Sequence, residues 1–437
     1  MRRKGFSIGL KALAISAVFL LVTSTWATTN WNEKVLHSFG SGTDGMNSWA
    51  ALVSDAAGNL YGTTVYGGTY NYGTVFELSP SEGGGWTETV LHSFNYNGTD
   101  GTYPAAGMIL DAAGNLYGTS IYGGTDDAGT VFELSPTVGG GWTEKVLYSF
   151  TSIVYDDGAF PHGSLIFDAA GNLYGTTDNG GPYCFLHQGC GTVFELSPGQ
   201  GGSWSETVLY SFSGGDGTGD GANPLGGLIF DAFGNVYGTT FGGGLHGQGT
   251  VFELTPTAGG SWTESVLYSF GPLPDGQEPW AGLILDTAGN LYGTTSIGGA
   301  YTYYGTVFRL TPDGNGSWTE TLLHSFGDDK DAADPAYVSL ISDAAGNLYG
   351  TTSGGGVYNG GTVFEFSPDG SGGWTETLLH SFPNNRIDGY SPYAGLTFDS
   401  AGNLYGTTNY GGTYREGTAF ELSLVPPCTS CSLASSR

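Results

Sequence analysis

Short strand-like segments of apolar and polar residues recur along most of the chain, separated by turns rich in glycine, asparagine and aspartate. In one representative unit these segments span residues 106–110, 115–120, 129–135 and 142–150. Such runs, bounded by turn residues, are typical of β-strands. The Asp-Ala-Ala-Gly-Asn segment after residue 110 tolerates positive φ and suits a tight hairpin. The pattern therefore predicts units of four antiparallel strands.

The unit is repeated seven times. Its anchor, Gly-Asn-Leu-Tyr-Gly-Thr or a close variant, starts at Gly58, Gly114, Gly171, Gly234, Gly289, Gly346 and Gly402. Successive spacings are 56, 57, 63, 55, 57 and 56 residues, so one unit carries an insertion. Seven units of four strands predict an all-β fold, a seven-bladed β-propeller with four-stranded blades.

The segment 31–39, Trp-Asn-Glu-Lys-Val-Leu-His-Ser-Phe, stands before the first complete unit. The same pattern closes the following units at 86–94, 142–150, 204–212, 262–270, 318–326 and 374–382, whereas the last unit stops without it. We therefore expect segment 31–39 to pair with the last blade and close the ring. A parallel β-helix is the alternative, but a solenoid adds repeats linearly and needs distinct end caps.

The repeated motifs also resemble a known family. Gly-Asn-Leu-Tyr-Gly-Thr-Thr, then Gly-Gly, then Gly-Thr-Val-Phe-Glu-Leu-Ser-Pro, as in 58–80, is similar to the GloVer-type tandem-repeat family of exported bacterial proteins. The resemblance covers nearly all of 31–423. It implies an extracellular or surface location and no enzymatic role. Members often end in a sorting or anchoring segment, and the short Cys- and Ser-containing tail of this chain departs from that pattern, which favours release.

The ends of the chain have a different composition. Residues 1–27 combine Arg2, Arg3 and Lys4 with an apolar run at 8–22 and a small-residue cleavage site, which predicts a secretory signal peptide. We expect the propeller to span 28–424 and residues 425–437 to form a flexible tail. No second apolar stretch is long enough to cross a membrane. The protein is thus expected to be secreted or extracellular, with retention at the cell surface or in the periplasm as alternatives.

Composition and charge narrow the partners. The chain has 79 glycines, 14% aromatic and only 12% charged residues, which is typical of short strands and tight turns. Its formal net charge is −29, and it becomes −33 once the four bases of residues 1–27 are removed. Such a surface repels phosphate backbones and anionic membranes, so nucleic acid is excluded as a partner. We expect a monomer.

Two loops of each blade carry candidate binding residues. In a propeller, the link from the outer strand to the next blade and the link between the second and third strands emerge on one face. The first link carries Asp44, Asp100, Asp157, Asp220, Asp275 and Asp388. The second link carries Tyr70, Tyr72, Tyr183, Tyr301, Tyr303, Tyr358 and Tyr414.

Exposed tyrosine rings stack on sugar faces, and carboxylates accept hydrogen bonds from sugar hydroxyls. These residues therefore indicate a non-catalytic binding module for a polysaccharide or cell-surface glycan. Ca²⁺ bound by paired carboxylates is a possible cofactor, and we expect no other. The alternative is structural, in which the aspartates form turns and the tyrosines cover the rim of the blades. A structural protein of the cell envelope is a further alternative.

Catalytic and metal-binding motifs are absent from the sequence. A single active site must break the sevenfold repeat, and the visible asymmetry lies in blades three and four, with His162, Cys184, His187, Cys190 and His246. A hydrolase or lyase with an axial site there is the alternative function. We expect the three histidines to be exposed polar residues of loops and not metal ligands.

Four cysteines are present, in two pairs. Cys184 and Cys190 lie in the insertion of blade three and are expected to form a disulfide, in agreement with export. Cys428 and Cys431 lie in the C-terminal tail and are interpreted as a second disulfide or an attachment point.

Overall fold

The computed structural model describes residues 31–151, 157–181, 189–214, 219–327, 331–335, 337, 339–385 and 387–425. These residues form seven four-stranded antiparallel sheets. The seven-bladed propeller expected from the repeat is therefore confirmed. The part of the chain described contains no α-helix, and its two 3₁₀ turns are Gln200–Gly202 and Gly299–Tyr301.

The strands of each blade follow from the innermost to the outer one. They are Val53–Ser54, Leu60–Thr64, Thr74–Pro80 and Trp86–Ser93 in blade one; Ile109–Leu110, Leu116–Ser120, Thr130–Pro136 and Trp142–Ser149 in blade two; Ile166–Phe167, Leu173–Thr177, Thr192–Pro198 and Trp204–Ser211 in blade three; Ile229–Phe230, Val236–Thr240, Thr250–Pro256 and Trp262–Ser269 in blade four; Ile284–Leu285, Leu291–Thr295, Thr306–Pro312 and Trp318–Ser325 in blade five; Ile341–Ser342, Leu348–Thr352, Thr362–Pro368 and Trp374–Ser381 in blade six; and Thr397–Phe398, Leu404–Thr408, Thr418–Leu424 and Trp31–Ser38 in blade seven.

Ring closure is confirmed by the pairing of the first strand. Trp31–Ser38 lies antiparallel to Thr418–Leu424, in a register that joins Trp31 to Leu424 and Ser38 to Thr418. The pair has a β-bulge between Val35 and His37, at the place where every other blade has a bulge between its third and outer strands. The N-terminal strand therefore completes blade seven as its outer strand.

The hydrophobic core lies between neighbouring blades. The cluster between blades seven and one joins Phe39 and Tyr405 to Leu60 and Phe76, and the two phenylalanine rings lie 5.0 Å apart, centroid to centroid. Equivalent phenylalanine pairs recur around the ring at 5.1–5.5 Å. Each fully buried phenylalanine contributes about 1.5 to 3 kcal/mol, as an upper bound. The blades are thus held together by one repeated aromatic contact.

Glycines allow the blades to converge on the axis. A Cβ atom at Gly226 would lie 2.7 Å from the backbone of Ala281, and one at Gly163 would lie 2.7 Å from the carbonyl oxygen of Gly226. A Cβ atom at Gly107 would lie 3.1 Å from Ser164. The backbones of successive blades therefore touch where their innermost strands begin.

Candidate functional site

Two loops of each blade meet on one face of the ring, which we call the axial face. In blade one, Gly45–Met46 from the link that precedes the innermost strand pairs with Tyr66–Gly67 from the link after the second strand. The other blades repeat this pairing in Gly101–Thr102 with Tyr122–Gly123, Gly158–Ala159 with Asn179–Gly180, Gly221–Ala222 with Gly242–Gly243, Gly276–Gln277 with Ile297–Gly298, Ala332–Ala333 with Gly354–Gly355, and Gly389–Tyr390 with Tyr410–Gly411. The expected shared face of the two links is confirmed.

The repeated aspartates of this face are bonded within the protein. The Asp44 carboxylate accepts hydrogen bonds from the backbone N–H groups of Gly40 and Gly45, and its Oδ2 lies 2.8 Å from His37 Nε2. Asp157 accepts from the Tyr148 hydroxyl at 3.1 Å and from two donors of Thr151. These carboxylates therefore fasten the loop to the outer strand.

The same arrangement recurs at Asp100, Asp220, Asp275 and Asp331, which also accept bonds from nearby backbone N–H groups, whereas Asp388 accepts from the Asn385 side chain. Asp44, Asp100 and Asp157 are only 7%, 8% and 9% exposed. The sequence analysis gave these aspartates two roles, contact with a ligand or turn formation. The structure uses most of their oxygen atoms for turn formation, because a short Asp-Gly loop leaves backbone donors that need an acceptor.

A cavity of about 370 Å³ opens at the axis of this face. Its wall includes Trp49, Ala105, His162, Leu225 and Trp280, one residue from each of five blades. These residues occupy one position of the repeat, next to the small residues that surround the axis. While the frame of the blade is nearly identical in all units, this position holds Trp, Ala, His, Leu and Trp. The sevenfold repetition is therefore broken at the cavity.

Trp49, Trp280 and Tyr337 line one arc of the cavity, and Tyr393 packs between Trp49 and Tyr337. Trp49 contacts Tyr393 at 6.3 Å, Tyr393 contacts Tyr337 at 5.0 Å, and Tyr337 contacts Trp280 at 4.7 Å between ring centroids. The Trp49 Nε1–H donates to Asn409 Oδ1 at 2.9 Å, which fixes the orientation of the indole. We call Trp49, Trp280, Tyr337 and Tyr393 the aromatic arc. The sequence analysis missed the aromatic arc. It could have been found from the sequence, because one repeat position varies in residue type while the positions around it repeat.

His162 lies on the opposite arc of the cavity, and Asp178 interacts with it electrostatically. His162 is half-buried in the cavity wall rather than an exposed loop residue, which corrects the expectation for it. Burial lowers the pKa of His162, and Asp178 acts against that shift. Burial also raises the pKa of Asp178, whose Oδ1 accepts a hydrogen bond of 3.0 Å from Asn223 Nδ2. His246, in contrast, is exposed as expected.

A second aromatic surface lies beside the cavity in blades one and two. Tyr103 contacts Tyr66, Tyr72 and Tyr122 at 5.5, 5.6 and 6.0 Å, and Tyr72 contacts Tyr96 at 5.7 Å. A shallow cavity of about 320 Å³ is lined by Tyr72, Tyr96, Tyr103 and Tyr122. We call Tyr66, Tyr72, Tyr96, Tyr103 and Tyr122 the tyrosine patch. Of the tyrosines expected from the sequence, Tyr72 belongs to it.

The other candidate tyrosines are separate and exposed. Tyr70, Tyr301, Tyr303, Tyr358 and Tyr414 are between 49% and 76% exposed. Tyr183, Cys184, His187, Cys428 and Cys431 lie outside the described residues. Cys190 is buried in the cluster that also contains Phe212 and Ala222, and both proposed disulfides remain predictions.

Groups that could hold a metal ion lie between blades. Among the residues that the structure describes, His, Asp and Glu side chains meet there in three triads, His37 with Asp44 and Glu88, His92 with Asp100 and Glu144, and His324 with Asp331 and Glu376. The sequence analysis did not bring these three residue types together. The three residue types come together only in the folded ring, where the outer strands of two neighbouring blades lie side by side.

Solved structures share the fold of this chain at low sequence identity. The extracellular domain of a putative hybrid two-component system from B. thetaiotaomicron matches 91% of this chain and 40% of its own, with 12% identity and a TM-score of 0.52. PorZ, a surface component of the type-IX secretion system of Porphyromonas gingivalis, matches 87% and 48%, with 15% identity and a TM-score of 0.51. The chain therefore spans about half or less of each of these proteins, and the likeness shows the fold alone.

No curated protein matches the chain. In the part of it that the structure describes, no helix is both long and apolar enough to span a membrane. The model of the Gloeobacter/Verrucomicrobia repeat matches twice, at residues 17–229 and 225–427. These matches cover nearly the whole propeller, and the chain belongs to the Gloeobacter/Verrucomicrobia repeat family.

Proposed function

We propose that the protein is a non-catalytic binding module that acts outside the cell and recognises a neutral glycan on its axial face. The observation that carries this proposal is the axial cavity. There, one repeat position holds an aromatic residue in some blades and a different residue type in others, although the blades are otherwise nearly equal. A structural ring needs no such variation. A site for one asymmetric ligand does.

The chemistry of the cavity favours a sugar. Flat indole and phenol rings stack on the apolar faces of pyranose rings, and the hydroxyls of Ser164 and Ser339 in the cavity wall offer polar partners. The high negative charge of the chain repels uronic-acid and sulfated polymers. A neutral polysaccharide is therefore the ligand class to test first.

The tyrosine patch extends the binding surface beyond the cavity. Tyr66, Tyr96 and Tyr122 are 40%, 55% and 43% exposed on the same face. A polymer seated in the cavity can continue over this patch, and two linked weak contacts give a higher overall affinity than either one alone. We therefore expect long glycans to bind more tightly than their short oligosaccharides.

The test is a panel of neutral and acidic soluble polysaccharides, measured by affinity electrophoresis and calorimetry. Trp280→Ala should weaken binding of the retained glycan at least tenfold, about 1.4 kcal/mol. The matched control is Phe233→Ala, because Phe233 is 88% exposed on the hairpin between the first two strands, at the opposite face. Retention by no neutral glycan, or equal loss in both variants, would contradict the proposal.

A hydrolase or lyase is the second candidate, favoured by His162 in the wall of the same cavity and by Asp178, which interacts with it. Burial lowers the pKa of His162, so that its imidazole is neutral near pH 7 and suited to accept a proton. If the protein cleaves the glycan that it binds, His162→Ala should abolish product formation while binding persists. Reducing-end assays on the retained polysaccharide decide between the two functions.

A further inference from the structure

Three sites between blades combine one imidazole with two carboxylates, and they are independent of the axial cavity. We propose that the triads of His37, Asp44 and Glu88, of His92, Asp100 and Glu144, and of His324, Asp331 and Glu376 each bind a divalent first-row transition ion, for which Zn²⁺ is the probe. In each triad the histidine and aspartate come from one outer strand and its following loop. The glutamate comes from the outer strand of the next blade.

The distances suit a shared ion. In each triad one nitrogen and two carboxylate oxygens lie within 4.8 Å of one another. The Nε2 to Oδ2 distances are 2.8, 3.2 and 3.1 Å, and His324 Nε2 lies 3.9 Å from Glu376 Oε2. Ligands about 2.0 to 2.2 Å from a metal ion lie roughly 3 to 3.5 Å from each other. The three donor atoms therefore need only small movements to surround one ion.

Each glutamate of the triads has a carboxylate oxygen that no hydrogen bond from a described residue uses. One carboxylate oxygen of Glu88, of Glu144 and of Glu376 is buried and has no hydrogen-bond partner among the described residues. A buried polar atom without a partner costs about 1 to 3 kcal/mol. A cation at the triad offsets the repulsion between the glutamate and the aspartate. The equivalent oxygens of Glu33, Glu206, Glu264 and Glu320 are also buried without a partner among the described residues, so this need is common to all seven interfaces, and the histidine is what adds a nitrogen ligand at the triads.

The other blades supply an internal comparison. At three interfaces the histidine is replaced by Tyr148, Tyr210 or Tyr268, while the aspartate and the glutamate are retained. Burial raises the pKa of these phenols, so they remain protonated and are poor metal ligands. The Tyr148 and Tyr268 hydroxyls instead donate a hydrogen bond to the aspartate. The fold thus accepts either residue, and only the histidine interfaces offer a nitrogen ligand.

The seventh interface has the same residue types in a looser arrangement. It joins His380, Asp388 and Glu33, and neither His380 Nε2 nor Glu33 Oε1 has a hydrogen-bond partner among the described residues. We therefore expect three or four transition ions per chain. A set of one imidazole and two carboxylates suits Zn²⁺ or Mn²⁺ better than Ca²⁺, which prefers an all-oxygen site.

The experiment measures Zn²⁺ bound to the chelator-treated protein by equilibrium dialysis and elemental analysis. Three or four ions per chain are expected, and His37→Tyr, His92→Tyr and His324→Tyr should each remove one. These variants copy the chain's own tyrosine interfaces, so they should fold. Tyr148→His should add one ion, because Asp157 and Glu206 already occupy the other two ligand positions.

His246→Ala is the control, since this histidine is exposed and belongs to no triad. It should leave the stoichiometry unchanged, and a tenfold excess of Ca²⁺ should not displace Zn²⁺. Two outcomes would overturn the proposal: two or fewer ions per chain, or an unchanged number of ions in the triple variant His37→Tyr, His92→Tyr and His324→Tyr while its circular dichroism shows a folded protein.

Discussion

At the scale of single residues, the repeated aspartates show how far a sequence pattern can be interpreted. The Asp-Gly loops correctly indicated turns on one face, and the side chains were predicted either to contact a ligand or to form these turns. Asp157 accepts bonds from Tyr148, Thr151 and the N–H group of Gly158. The sequence holds no sign of this, because the donors come from a strand and a loop whose relative positions depend on the whole blade.

The bonds of Asp157 lead to a prediction of stability. In Asp157→Asn the negative charge is lost and one carboxylate oxygen becomes an amide nitrogen, which cannot accept. We expect the free energy of unfolding to fall by about 1 to 3 kcal/mol. Chemical denaturation followed by tryptophan fluorescence measures the change. Asp126→Asn, an exposed aspartate on the same face, should change it by less than about 0.5 kcal/mol; similar losses in both variants would speak against the aspartate as a loop fastener.

The aromatic arc illustrates the opposite case, a site that the sequence did carry. Trp49 and Trp280 stand at one repeat position, where other blades have Ala105 or Leu225. The asymmetry described from the sequence rests on histidines and cysteines and does not include aromatic residues. The variation was visible from the sequence, but its location at the axis required the ring of close backbone contacts around Gly226.

At the scale of elements, strand type and order were predictable, whereas some boundaries were not. The third strand of blade two was predicted at 129–135 and is Thr130–Pro136, but its innermost strand was predicted at 106–110 and has only two paired residues, Ile109–Leu110. The reason is the axis. Residues 106 and 107 line the cavity and contact the neighbouring blades instead of forming ladder hydrogen bonds.

The N-terminal strand Trp31–Ser38 leads to a prediction that tests whether its pairing with blade seven, rather than its place at the start of the chain, stabilises the ring. A protein that starts at Gly40 lacks the outer strand of blade seven, which leaves Thr418–Leu424 as an exposed edge and removes Trp31 and Phe39 from two core clusters. We expect it to be insoluble, or to melt far below the full propeller. Light scattering and differential scanning calorimetry measure both effects.

A circular permutant is the matched control. Moving 31–39 to the end of the chain, joined to Leu424 by the five-residue turn 81–85 of blade one, gives blade seven the same connection as the other blades. This permutant should regain the solubility and the melting temperature of the parent. If the shortened protein melts like the parent, or if the permutant fails to recover, ring closure by this strand is not what stabilises the propeller.

At the scale of the whole molecule, the pairs of glutamate and aspartate carboxyl groups between blades make the stability of the fold depend on pH. Burial, followed by the charge of the facing aspartate, raises the pKa of Glu206, Glu264 and Glu320 to about 7. In the unfolded chain glutamate titrates near 4.5, so the folded state binds more protons between these values. The stabilisation is complete below pH 4.5 and is lost as the pH rises through 7.

We therefore expect the melting temperature, measured with a chelator present, to be higher at pH 5 than at pH 8 by several degrees. The variant Glu206→Gln, Glu264→Gln and Glu320→Gln keeps the neutral form at all pH values, and its melting temperature should change less over this range. A melting temperature that rises from pH 5 to pH 8 in the parent protein would contradict the assignment of raised pKa values to these glutamates.

The register of the closing strand also determines how the ring responds to force. Trp31 faces Leu424, so both ends of the described propeller leave from the same end of one antiparallel pair. Tension applied between these two points peels the strands apart one residue pair at a time, instead of shearing all their hydrogen bonds together. The seam of blade seven is thus the mechanical weak point, and a pull on the two ends opens the ring there before any other blade is loaded.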